Sequence, residues 1–132
     1  MRDDHDQEQQ MTDALDPAHL YRHAPDLLTE ASDLLTASSR LLTRTLAGDP
    51  ADEEEQRAHR LRTAVQADRV ALAHAHADPR AVDRADEAAH ELADLDRAHP
   101  WLTPAGLTVP DMGDGPAARA YVRACYDAAP WT

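Results

Sequence analysis

Glu87 and His90 stand three residues apart in the Ala-rich run Glu87-Ala-Ala-His90. At that spacing a carboxylate and an imidazole, one helical turn apart, reach a common metal in helix-bundle di-iron proteins. Such a site needs two of these motifs and two further inward carboxylates. On an ideal wheel His90 falls roughly 160° from the apolar line of its own segment, so the two residues read as a surface pair. Asp96-x-x-His99 and Asp16-x-x-His19 repeat the spacing with a shorter acid at a helix end. His19 and His23, at i and i+4, match the separation of two imidazoles on one zinc or nickel ion. They lack the Glu of the His-Glu-x-x-His arrangement. No metal or other cofactor is assigned, and His19, His23, Glu87 and His90 are the positions to examine if one binds.

Other chemistry is excluded more directly. Cys125 is the only cysteine, so neither an intrachain disulfide nor a cysteine-based zinc site can form. It falls in phase with Tyr121 and Val122 near a helix C-terminus, where the dipole opposes a thiolate, and so reads as a packing residue. Asp111-Met-Gly-Asp114-Gly lacks the twelve-residue ligand ladder of a calcium loop and reads as turns. No phosphate loop, nucleophile elbow or dinucleotide fingerprint occurs. No catalytic residue is assigned.

The elements that would position these side chains are helices. Asp16-Pro17, Asp49-Pro50 and Asp78-Pro79 each precede an amphipathic stretch. Asp accepts a bond from a free N–H at a helix start, and Pro loses nothing at the first helical position. The three pairs therefore predict three helix starts, with Pro25 restarting the first helix at Asp26. From there Leu27-Leu28, Leu34-Leu35 and Leu41-Leu42 recur every seven residues, with Ala31, Ser38 and Thr45 between them, a seam that packs on another helix. Gly48 ends it. A second helix, about 50–77, aligns Ala58, Leu61, Val65, Leu72 and Ala75, with Asp68 intruding and Val70 nearly opposite. A third, about 79–98, aligns Ala81, Ala85, Ala88, Leu92 and Leu95, and His99-Pro100 stops it.

Composition changes at residues 100–116, which hold four of the nine Pro and three of the four Gly. Trp101, Leu102, Leu107, Val109 and Met112 make this stretch too apolar for a linker, so it is expected to lie across the bundle. A last helix, 116–128, stacks Ala118, Tyr121, Val122 and Cys125. The fold class is thus all-α: a small antiparallel bundle of three long helices plus a short C-terminal helix, with an apolar covering loop. Residues 1–15 are expected to form a disordered acidic arm and 16–132 a single helical domain.

Net charge is −12, and every Arg run is interleaved with carboxylates, so no basic footprint for nucleic acid exists. No apolar stretch approaches the ~18 residues of a membrane span. The expected setting is the cytoplasm. The absence of Lys, Asn and Ile reads as codon pressure in a high-G+C bacterium. With 15 Leu, 5 Val, 27 Ala and no Phe or Ile, the chain has little large apolar material for its length. That mismatch with a long leucine seam points to a non-enzymatic helical protein–protein interaction or accessory protein. Its partner is another protein or a second copy in a homodimer, met through Leu27, Leu34, Leu41, Val70 and Trp101. The alternative is a small metal-dependent or ligand-binding helical-bundle enzyme with its pocket under the 101–112 loop.

Overall fold

The computed structural model describes residues 16–111 and 113–128, so the expected acidic arm and Met112 lie outside the described residues. Five helices follow in order: α1 (Pro17–Leu20), α2 (Leu27–Leu46), α3 (Glu53–His74), α4 (Pro79–Ala98) and α5 (Gly115–Ala128), with a 3-10 turn at Pro100–Leu102 before α5. No strand occurs among the described residues. The three long helices form an antiparallel bundle, α5 packs against α3 and α4, and α2 packs on α3 at its edge.

Each of these five helices is opened by an aspartate. Asp16, Asp26, Asp52, Asp78 and Asp114 accept from the backbone N–H of Ala18, Leu28, Glu55, Arg80 and Ala117, respectively, at 2.9–3.2 Å. Each bond satisfies one of the donors that a helix start leaves free. Two of the three Asp-Pro pairs, at 16–17 and 78–79, act as expected. Asp49-Pro50 does not: it lies in the α2–α3 turn, and Asp52 caps α3 instead. Asp52 is followed by Glu53, Glu54 and Glu55, which place three carboxylates against the positive end of the helix dipole. Asp49 pairs with Arg44, and Gly48 supplies the left-handed residue of the turn at φ 81°.

The core is built around α3, α4 and α5. Leu61, Ala64, Val65, Ala89, Leu92, Ala118, Tyr121, Val122 and Cys125 are buried together, with Leu20, Tyr21 and Tyr126 closing one end. A second, methyl-lined cluster holds Ala71, Ala81 and Ala85, with Val70 packed against it. Leu107 and Val109 of the covering loop pack onto the main cluster, as their apolar character predicts. The α5 stripe Ala118, Tyr121, Val122, Cys125 is buried as read from sequence. The α3 face is not: Ala58 and Leu72 are exposed, while Ala64, Asp68 and Ala71 are buried beside Leu61 and Val65. The α4 face is likewise turned, with Ala89, Ala93 and Asp96 buried and Ala88 and Leu95 half-buried. Both rotations have one cause. Each helix turns a carboxylate into the protein, and its buried face centres on that acid.

Candidate functional site

Among the described residues three carboxylates are buried: Glu30 on α2, Asp68 on α3 and Asp96 on α4. Asp68 accepts from Tyr21 Oη at 2.8 Å, Arg119 Nε at 2.9 Å, and Arg123 Nε and Nη2 at 2.8 and 2.9 Å. Asp96 takes Arg57 in a bidentate grip, Nε at 2.7 Å and Nη2 at 2.9 Å, and also accepts from the Tyr121 hydroxyl. Glu30 accepts from Arg62 Nη2. These are charge-assisted bonds between helices: Asp68 joins α3 to α5 and to the residue after α1, Asp96 joins α3, α4 and α5, and Glu30 joins α2 to α3. Their donors already occupy the acids, which makes them fasteners between helices.

Burial, and then the charge of Asp68, push the Tyr21 phenol far above its ordinary value; burial, and then its bond to Asp96, do the same to Tyr121. Burial likewise raises the Cys125 thiol, although Arg57 Nη2 lies 3.5 Å from its sulfur. A thiol held neutral in this way is a poor nucleophile. The folded state favours the neutral form of all three groups. Their stabilisation is therefore complete below the unfolded-chain values, 9.0 for Cys and 10.0 for Tyr, and is lost as pH rises above them. In a Tyr126→Phe background the phenolate absorbance of Tyr21 and Tyr121 is expected to appear in one step together with loss of helical circular dichroism. A phenolate signal at pH 10 with helix intact would contradict that assignment.

The histidine and glutamate positions do not converge. α1 ends at Leu20, so His19 and His23 share no helix, and both are exposed. Glu87 is exposed, and His90 Nδ1 donates to the Asp86 carbonyl at 2.7 Å, which leaves only Nε2, buried, on the ring. No group of three or more His, Cys, Asp or Glu side chains with metal-binding geometry occurs among the described residues.

One pair escaped the sequence reading. Ser38 Oγ and His59 Nε2 lie 3.1 Å apart across α2 and α3, and burial, then Arg62 and Arg60, lower the His59 pKa so that the ring is held neutral. A serine beside a neutral imidazole is the start of a nucleophile–base arrangement, but no carboxylate among the described residues bonds His59 to orient it. The only trace of the pair in the sequence is two polar residues on adjacent helices, whose register a single chain does not reveal. His59 also lines a hollow of about 400 Å³ between α2, α3 and α4 with Leu41, Thr45, Arg60 and Glu91.

The predicted interface residues are distributed as follows. Leu34 is 9% exposed and belongs to the fold; Leu27 and Leu41 are half-buried against α3; Val70 is half-buried against the methyl cluster. Trp101 is 68% exposed, with its Nε1 donating to Glu53 and its ring edge-on to His99. What α2 offers to solvent is the second member of each leucine pair, together with the unpaired Leu46. Leu28, Leu35, Leu42 and Leu46 are 81%, 72%, 60% and 80% exposed. At 100° per residue they lie, with Ser32 and Ser39, within an arc of roughly 80°. The helix's own charges, Glu30, Asp33, Arg40 and Arg44, fall roughly 120° or more from the centre of that line; Asp33 and Arg40 are exposed beside it. The half of α2 centred on the leucine line carries only Leu, Ala, Ser and Thr in a chain with 29% charged residues. Covering such a leucine is worth about 1.5 to 3 kcal/mol.

Compared with known proteins, the chain matches no family model, no curated protein and no solved structure.

Proposed function

We propose that this chain is a non-enzymatic helical interaction or accessory protein of the cytoplasm that docks through the outward face of α2. The observation that carries the reading is the row of four exposed leucines along α2, with no charged residue on the line itself. Soluble chains rarely leave a contiguous apolar row in water without a partner for it. The buried acids support it from the other side, since all three are consumed in holding helices together. No helix among the described residues is long and apolar enough to cross a membrane, so the row is not part of a span.

Two substitutions on adjacent residues separate folding from docking. Leu34→Asp puts a charge where the chain is closed and is expected to destabilise it by several kcal/mol, roughly the cost of a lost buried leucine or more. Leu35→Glu changes a residue that is 72% exposed, and its melting temperature is expected to stay near wild type because exposed substitutions fall within about 0.5 kcal/mol. The docking test places a photo-crosslinking residue at Ser39 in the cells that make the protein. A discrete adduct that disappears in Leu35→Glu is the expected result. Absence of any adduct, or one indifferent to Leu35→Glu, overturns the reading.

A second reading keeps a ligand-binding or metal-dependent helical enzyme in view. A hollow of about 420 Å³ lies beside the 3-10 turn, lined by Glu54, Arg57, Leu61, Arg62, Trp101 and Leu102. Arg57 is held by Asp96 and Arg62 by Glu30, so both cations that reach it are already paired. Stoichiometric metal in untagged protein would favour this reading over docking.

A further inference from the structure

We infer that the outward face of α2 meets the same face of a second copy, antiparallel, about a two-fold axis at the level of Ala37. This rests on the docking reading and names its occupant. Three observations carry it.

The first is self-complementarity. The exposed line runs Leu28, Ser32, Leu35, Ser39, Leu42, Leu46, with steps of four, three, four, three and four residues. Reversed end for end it maps onto itself: Leu28 meets Leu46, Ser32 meets Leu42, and Leu35 meets Ser39. Each serine leaves a gap opposite a leucine. A two-fold interface requires one patch to fit its own rotated image, and this line does. Parallel pairing would instead put leucine on leucine and hydroxyl on hydroxyl, and would align the two helix dipoles unfavourably.

The second is charge. Each copy carries a net charge of −12, so two copies repel as wholes. They can approach closely only where neither presents a carboxylate, and the leucine line of α2, with Asp33 roughly 140° away from it, is such a surface. An oppositely charged partner would find nothing on it to pair with.

The third is position and size. Among the long helices α2 packs chiefly on α3 and stands at the edge of the bundle, so that among the described residues its outer side is open to another helix. From Leu28 to Leu46 the face is about 27 Å long and about 10 Å across. That is small beside a standard interface of roughly 1,600 Å², which makes the pairing reversible and dependent on concentration.

The test uses the full chain. Light scattering over a concentration series is expected to show a monomer–dimer equilibrium that tightens as salt rises, because screening removes the repulsion between copies. Attraction between opposite charges would weaken with salt. Leu35→Glu is expected to raise the dissociation constant about 100-fold or more, since it sets a carboxylate of each copy in an apolar contact.

Spin labels then read the register. Labels at Thr29→Cys sit opposite Thr45 of the other copy, about 24 Å apart along the axis, and labels at Thr36→Cys sit about 3 Å apart along it. Cys125, fully buried, serves as the unlabelled control in wild type. Short distances at both positions mean parallel helices and overturn the arrangement. A dimer indifferent to Leu35→Glu places the contact elsewhere and overturns it too. A wild-type chain that stays monomeric overturns the second copy as occupant. If the Ser39 crosslink to another protein survives that result, docking stands without self-association; if it is also absent, both fail.

Discussion

Asp68→Ala is expected to cost about 3 to 5 kcal/mol of folding free energy, because it strands two arginines in the interior. The carboxylate is 1% exposed and accepts four bonds, from Tyr21, Arg119 and Arg123. Its loss leaves two guanidinium groups, themselves mostly buried, and one phenol without an acceptor. Set against a total stability of about 5 to 15 kcal/mol for an ordinary domain, this substitution removes much of the margin. Asp68→Asn is expected to fall between, since it keeps the shape and one acceptor oxygen but turns an amide N–H₂ toward a guanidinium. Urea unfolding followed by far-UV circular dichroism ranks the three. Equal midpoints for Asp68→Ala and wild type would mean that the ion pairs contribute nothing.

Arg57→Leu is expected to cost a similar amount, about 3 to 5 kcal/mol, by the opposite route of leaving a buried anion. Asp96 is wholly buried and would keep only the Tyr121 hydroxyl. The informative variant removes the whole group. With Arg57→Leu, Asp96→Leu and Tyr121→Phe together, no polar atom of the cluster is left unpaired, and most of the loss is expected to return. Buried ion pairs replaced by apolar groups of similar volume are often neutral in stability. Equilibrium unfolding of the single and triple variants checks this. A triple variant less stable than Arg57→Leu would show that the cluster stabilises beyond satisfying its own members.

Much of the fold was legible because its signals are local. An aspartate before a helix acts on N–H groups two or three residues away, so Asp16, Asp26 and Asp78 can be read without knowing the neighbours. The α5 stripe was legible for a related reason: Ala118, Tyr121, Val122 and Cys125 are all apolar or nearly so, and burial follows the wheel. Asp49-Pro50 misled because two acceptor aspartates lie three residues apart. The choice of Asp52 depends on the turn geometry that brings Asp49 to Arg44.

The faces of α3 and α4 were misread by a fraction of a turn because hydrophobic periodicity counts an aspartate as a surface residue. Asp68 and Asp96 are interior only because Arg119, Arg123 and Arg57 arrive from other helices. The one local hint is Arg119 and Arg123 on a single turn of α5.

The same division holds for the candidate docking face. That paired leucines recur every seven residues along α2 is a property of the chain alone, and it requires two apolar lines on that helix. Which line is closed by the fold was decided by where α3 lies, with Arg62 on Glu30 and Gln66 on the Leu27 carbonyl setting the rotation of α2. Leu34 was turned inward and Leu35 outward. Helix starts, helix number and the leucine repeat are written in neighbouring residues, because capping and propensity act within a few residues. Burial of the acids and exposure of the second leucine line follow from contacts between residues tens of positions apart, which only the packed structure creates.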